Sequence, residues 1–200
     1  MTQKAGEKSK TIRSFVAIEL PAPIRQALAH LQTRIRETGL SAKWSVPENI
    51  HLTLQFLGDV SPAAIAEIGE SMAATAAAFP AMELYGQSVG VFPGVKRARV
   101  LWTGVGGDTE TLGRLQQDLA DRLSGLGFEK EKRRFTGHFT LARFKGRVDP
   151  ETVISVTRQF GDFVTQAFVV DAIHLFESRL TPKGPVYSKL ETCALAAGDG

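Results

Sequence analysis

One tetrapeptide pattern occurs twice in this chain, and it constrains the possible folds more than any other feature. His51-Leu52-Thr53-Leu54 returns 87 residues later as His138-Phe139-Thr140-Leu141. Of the four histidines, His30, His51, His138 and His174, two therefore sit in the same setting. With 16 Thr among 200 residues, a Thr two places after a given His is an accident of about 1 in 12, so two such hits, each followed by Leu, require a cause. The same offset carries Phe15 onto Trp102 and the apolar stripe of 22–38 onto that of 109–123. Both halves read strand, helix, motif strand, helix, strand.

Period-two alternation puts His51, Thr53 and Gln55 on one face of a strand and Leu52, Leu54 and Phe56 on the other. The second copy likewise separates His138 and Thr140 from Phe139 and Leu141. The apolar face needs a core, so the His/Thr face looks onto a polar space. Arg143, five residues after His138, falls by the same count on the opposite face, unless a bulge or the end of the strand re-aims it.

Around the motifs, residues 14–20 form a strand stopped by Pro21. Ile24, Leu28, Leu31 and Ile35 mark a helix over 22–38, and 44–49 is a connector. Ser61-Pro62 opens an Ala-rich helix to about 78. Residues 83–92 form a strand with a Gly kink or bulge, followed by a strand at 98–105 and a helix from 108 or 109 to 123. Asp149-Pro150 starts a helix to about 160; 168–176 and 186–195 complete the strands. The expected architecture is α+β: two pseudo-symmetric lobes, each an antiparallel sheet backed by helices, with a cleft between them where the two motif strands face each other. Residues 12–195 form one bilobal domain, flanked by tails at 1–11 and 196–200.

Composition narrows the partners. A formal charge of +3 and an isoelectric point near 9.1 suit an anionic substrate without reaching the level of a nucleic-acid coat. Cys193 is the only cysteine, which excludes an internal disulfide and fits a reducing, cytoplasmic setting. No apolar run is long enough to span a membrane, and the Lys-rich start has no signal-peptide core. The glycines at 104, 106 and 107 lack the spacing of a dinucleotide fingerprint.

Two imidazoles flanking one ligand can act as general acid and general base, since histidine titrates near 6.5. With threonine hydroxyls beside them, the favoured guest is a phosphodiester, whose displacement needs one proton removed and one delivered. Neither metal nor cofactor is required by that scheme. His30 reads as solvated and His174 as structural. The run Lys130 to Arg134 is a solvated loop or an RNA-backbone contact. Trp44, Phe92, Phe135 and Tyr187 read as packing residues that could also stack on a base.

The segments Arg13 to Pro21, Pro47 to Gly58, Phe92-Pro93, Arg99 to Trp102 and His138 to Arg143 resemble the two-histidine (2H) phosphoesterases. Within them the chain is most similar to the RNA 2′,3′-cyclic phosphodiesterases, also called LigT-like or ThpR-like 2′-5′ RNA ligases. The likeness covers about 12–192. It implies hydrolysis of an RNA-terminal 2′,3′-cyclic phosphate to a 2′-phosphomonoester, and 2′-5′ ligation in reverse. His51 matches the family's proton donor and His138 its proton acceptor. Thr53, Thr140 and Arg143 match phosphate-binding positions. The expected partners are RNA ends or nucleoside 2′,3′-cyclic phosphates, handled by a monomer without an obligate protein partner. Competing readings are a phosphodiesterase for 2′-5′-linked oligonucleotides or small cyclic nucleotides, a non-catalytic nucleotide-binding module, and a metal hydrolase. The last is weakly supported, because Glu48 is the only carboxylate near either motif.

Overall fold

Apolar side chains that alternate along strands and recur at helical spacing along helices meet in one core. The computed structural model describes residues 11–182 and 184–197, so most of the two expected tails, 1–10 and 198–200, lies outside them. The elements run β1 (Ile12–Glu19), α1 (Ala22–Glu37), β2 (Lys43–Trp44), β3 (His51–Val60), α2 (Ile65–Ala78), β4 (Met82–Phe92), β5 (Val100–Gly107), α3 (Thr109–Gly125), β6 (His138–Arg143), α4 (Pro150–Gln159), β7 (Phe168–Val170), β8 (Ala172–Thr181) and β9 (Gly184–Ala194).

The described strands form one antiparallel sheet in the order β7-β4-β5-β6-β3-β1-β8-β9, with β2 added against β6. One face packs on the helices. Val16 and Ile18 of β1, Leu52 and Leu54 of β3, and Phe139 and Leu141 of β6 share a core with Leu28 of α1, Met72 of α2, Leu115 of α3 and Val156 of α4. The other face carries a separate small cluster of Phe15, Ala17 and Phe176, with Tyr187 against it. The lobes are thus two halves of one sheet.

The motif strands β3 and β6 are neighbours at the centre of that sheet, joined by one residue pair, Leu52 with Phe139. Both side chains are fully buried. Reading outward, β6, β5, β4 and β7 mirror β3, β1, β8 and β9. The repeats exchange their ends: β4, from the first, pairs with β5 of the second, and β8, from the second, pairs with β1 of the first. Neither half is built from one repeat alone.

Residues 168–176, which read in the sequence as one strand, are two. Asp171 splits them: β7 pairs with β4 and β8 with β1. One residue therefore links strands at far-apart places in the sheet order, which is possible only because the sheet curls round. A bridge between Pro80 and Ala196 joins the start of β4 to the end of β9 in the same way. Trp44, read as the start of a connector, forms β2 together with Lys43. Ser61 caps as expected, but its hydroxyl accepts from Ala63 N of a 3-10 turn at Pro62–Ala64 that precedes α2. Asp149 caps α4 through Thr152 N. The expected irregularity in β4 is a bulge between Gln87 and Gly90, where Ser88 adopts a φ of 54°.

Candidate active site

His51 and His138 are the first residues of β3 and β6. Extending the Leu52–Phe139 register by one residue either way sets His51 opposite Thr140 and His138 opposite Thr53. All four share the face turned away from the helices and are half-buried. Each imidazole is held in the same manner. His51 Nδ1 lies 2.8 Å from the carbonyl oxygen of Asn49, and His138 Nδ1 lies 2.8 Å from that of Thr136, two residues upstream in both cases. A carbonyl can only accept, so each Nδ1 carries hydrogen and each neutral ring keeps Nε2 as its free base. Asn49 is itself fixed, its amide donating to Pro185 O at 2.9 Å.

Simple alternation fails two residues beyond each threonine, at the same place in both motifs. Between β1 and β3 the pairing steps from Ala17–Thr53 to Val16–Gln55, so Leu54 is an extra residue. Between β5 and β6 it steps from Trp102–Thr140 to Leu101–Ala142, so Leu141 is extra. Each bulge turns two successive side chains into the core: Leu54 with Gln55, and Leu141 with Ala142. The next residue returns to the cleft face. Gln55, expected beside His51, is therefore buried, its amide donating to Glu129 O at 3.2 Å, while Phe56, expected in the core, is 58% exposed. Arg143 is carried onto the histidine face by the same device, and its charge lowers the proton affinity of both imidazoles.

The aromatic surroundings differ. The His51 ring stacks on Phe15 at 4.7 Å, Phe15 stacks on Phe176 at 5.3 Å, and Tyr187 stands edge-on to His51 at 5.3 Å. His138 meets only the edge of Phe92, at 5.0 Å, with Trp102 behind Phe92 at 4.9 Å. Burial pushes His51 down to about 4; the Asn49 hydrogen bond opposes this, and the charges of His138 and Arg143 add to it. Burial lowers His138 as well, against its Thr136 hydrogen bond and with help from Arg143. Both shifts favour the neutral ring near pH 7.

His30 is exposed on α1. His174 is buried on the cleft face, its Nδ1 3.0 Å from Thr192 Oγ1 across β8 and β9. Trp44 packs on the core under the Arg36 guanidinium, and Phe135 also packs on the core. Phe92 and Tyr187 touch the histidines. Lys130 pairs with Asp121, while Lys132 to Arg134 are exposed. Among the described residues no three His, Cys, Asp or Glu side chains converge as metal ligands, and no helix is long and apolar enough to cross a membrane. Phe15 and Phe176 belong to the site without a sequence signal, and the offset that carries Phe15 onto Trp102 does not hold in the strand register, where Trp102 matches Ala17, each opposite a motif threonine.

The family described as LigT like phosphoesterase matches residues 18–102 and 106–187. A protein of Aeropyrum pernix named RNA 2′,3′-cyclic phosphodiesterase is 39% identical over 172 residues, spanning 86% of this chain and 97% of its own. One of the same name from Thermotoga maritima is 32% identical, over 94% of this chain and 97% of its own. A crystal structure of a Thermus thermophilus protein superposes with a TM-score of 0.77 at 26% identity, over 93% of this chain and 99% of that one. Apo LigT of E. coli, at 23% identity, shares the fold with a TM-score of 0.72 over 94% and 99%. Since the family match takes in both His-x-Thr motifs and most of the chain around them, this protein belongs to the LigT-like phosphoesterases.

Proposed function

We propose that this chain hydrolyses the 2′,3′-cyclic phosphate at an RNA 3′ end to a 2′-phosphomonoester, by acid-base catalysis between His51 and His138. The observation that carries this reading is the matched tethering of the two rings, each Nδ1 donating to a carbonyl two residues upstream. Both Nε2 atoms are thereby left for a ligand on one face, with Thr53, Thr140 and Arg143 around it. In the forward direction His138 Nε2 takes a proton from water as its oxygen bonds to phosphorus. The phosphorus–O3′ bond breaks, and His51 Nε2 delivers a proton to O3′. The assignment of donor and acceptor follows the family resemblance. Thr53 and Thr140 hydroxyls and the Arg143 guanidinium hold the non-bridging oxygens, whose charge grows as water adds.

The low proton affinity of His51 in the free protein fits this scheme. A phosphodiester anion between the rings restores the charge that burial withholds, so the acid is loaded only when substrate is present. Run in reverse, with an RNA 5′-hydroxyl end supplying the oxygen, the same protons would form a 2′-5′ linkage. The relatives named RNA 2′,3′-cyclic phosphodiesterase support the choice of substrate. We place the protein in the cytoplasm, with 12–195 as one bilobal domain acting as a monomer that needs no obligate protein partner and no metal.

Turnover of an oligonucleotide ending in a 2′,3′-cyclic phosphate, followed by phosphorus NMR in EDTA, tests the reading. Wild type is expected to give a 2′-phosphate, and His51→Ala and His138→Ala each to lose about 10² or more in kcat. Activity abolished by EDTA, or a 3′-phosphate product, would overturn it.

A further inference from the structure

Past the end of β6, the segment after α1 and the segment after β6 line a half-open cavity of about 570 Å³. Lys43, Lys145 and Arg147 line it, with Asp149 and Thr152 at the start of α4. Strand pairing connects it to the site: Lys43 is the cross-strand partner of Arg143, and Lys145 follows Arg143 by two residues. Partners directly opposite on neighbouring strands share a face, so Lys43 stands on the cleft side with Arg143. Like charges in that relation repel and gain from an anion between them.

Among the described residues no carboxylate pairs with these cations. The ion pairs among the described residues are Arg25–Glu19, Arg122–Asp118, Lys130–Asp121, Arg179–Glu177 and Lys189–Glu19; none uses Lys43, Arg143, Lys145 or Arg147. Asp149, the carboxylate on the cavity wall, is committed to α4, its Oδ2 accepting from Thr152 N at 2.9 Å and Thr152 Oγ1 at 3.0 Å. Three cations thus line a concavity with one occupied carboxylate. β6 ends at Arg143, and Lys145 stands two residues past that end.

Resting on the reading of the site as an RNA-end phosphodiesterase, we propose that this cavity is a second anion subsite. It takes the backbone phosphodiester that links the terminal nucleotide to the one before it. The cyclic phosphate lies at the histidines, the strand leaves past Arg143 and Lys43, and its next phosphate enters between Lys145 and Arg147. The enzyme then prefers an oligonucleotide to a mononucleotide through binding alone.

The experiment compares a mononucleoside 2′,3′-cyclic phosphate, too short to reach the cavity, with a tetranucleotide carrying the same end. The enzymes are wild type and the double variant Lys145→Gln/Arg147→Gln. Wild type is expected to favour the tetranucleotide in kcat/KM. The double variant is expected to raise KM for it about tenfold, each charge supplying about three- to fivefold as an exposed ion pair does. Its kcat and its handling of the mononucleotide stay within about twofold. In parallel, anisotropy of a labelled tetranucleotide with a 2′-phosphate end gives the salt dependence of binding, whose slope becomes shallower by about 0.7 for each phosphate contact removed. Equal losses on both substrates, no loss on either, or an unchanged salt slope would overturn the subsite. Failure of wild type to turn over either substrate would refute the proposed activity instead, and the salt slope would still decide the subsite.

Discussion

The two half-sites share their polar skeleton and differ in their aromatic backing. In each, a histidine opens a strand, donates Nδ1 to the carbonyl two residues upstream, and precedes a threonine and a bulge at the same step. Behind His51 stand Phe15, Phe176 and Tyr187; beside His138 stands Phe92 alone, with Trp102 further back. Strand register makes Trp102 the equivalent of Ala17, each lying opposite a motif threonine, yet on the far side Ala17 pairs with His174 and Trp102 with Gly90. At the bulge exits the halves part again, with Phe56 on one side and Arg143 on the other. A repeated motif thus supplies two like imidazoles, and the unrepeated packing surrounds them differently, with burial lowering both and pushing His51 down to about 4. Unequal surroundings are what allow one group to donate while the other accepts.

The largest expected effect tests the depth of that difference. His51 has a folded pKa of about 4 against an unfolded value near 6.5. Between those limits the unfolded chain binds more protons, so stability rises with pH and is lost as pH falls from 6.5 to 4. The loss is about 3 kcal/mol. Denaturant unfolding across that window should show it, with His138 and His174 adding in the same direction. His51→Gln should remove most of the slope; a slope that survives would place the desolvation elsewhere. The kcat/KM profile should peak on the acid side of 6.5, since both free-state imidazoles titrate below it and one must be charged.

Next in size is the contrast at the bulge exits. Arg143→Gln should lower kcat about 10²-fold, the scale of losing one preorganised donor at a developing charge. Phe56→Leu, at the equivalent place, should change it far less. Equal losses would mean that both positions hold substrate and that the asymmetry carries no chemistry.

How much of this could be read from the chain follows from what each signal depends on. The repeat, both histidines, both threonines and most elements were legible because they rest on local period and spacing. The position of Arg143 was not, since a bulge is decided by how a strand pairs with its neighbour and leaves no mark in a period-two count. Gln55 and Phe56 were assigned to the wrong faces for the same reason. The exchange of β4 and β8 between halves was hidden as well: equal repeats show what each unit contains and say nothing of which unit its last strand joins. Splitting 168–176 at Asp171 needs the curl of the whole sheet, a property of no single segment.

The third effect probes Gly90. A Cβ there would run into the six-membered ring of Trp102, whereas the equivalent position in the other half, opposite Ala17, accommodates His174. Gly90→Ala should cost roughly 1–3 kcal/mol by overpacking, read as a lower denaturation midpoint. Adding Trp102→Leu should restore part of it. If Gly90→Ala is neutral, the indole is free to move and the second half-site is looser than its packing suggests.

The smallest effect isolates the aromatic cage. Phe176 is buried, and it touches His51 chiefly through Phe15, which it stacks on at 5.3 Å. Phe176→Leu keeps an apolar side chain but loosens the stack, so water gains access to the back of the His51 ring. With less desolvation, the His51 pKa should climb from about 4 toward 6.5, by about one unit, while His138 holds its value. Imidazole NMR titration of the variant reads both rings at once. Should the two shift together, their depression comes from the charges that they share with Arg143, and the aromatic difference between the half-sites has no part in setting their roles. A shift confined to His51 makes the unrepeated packing the cause of the asymmetry.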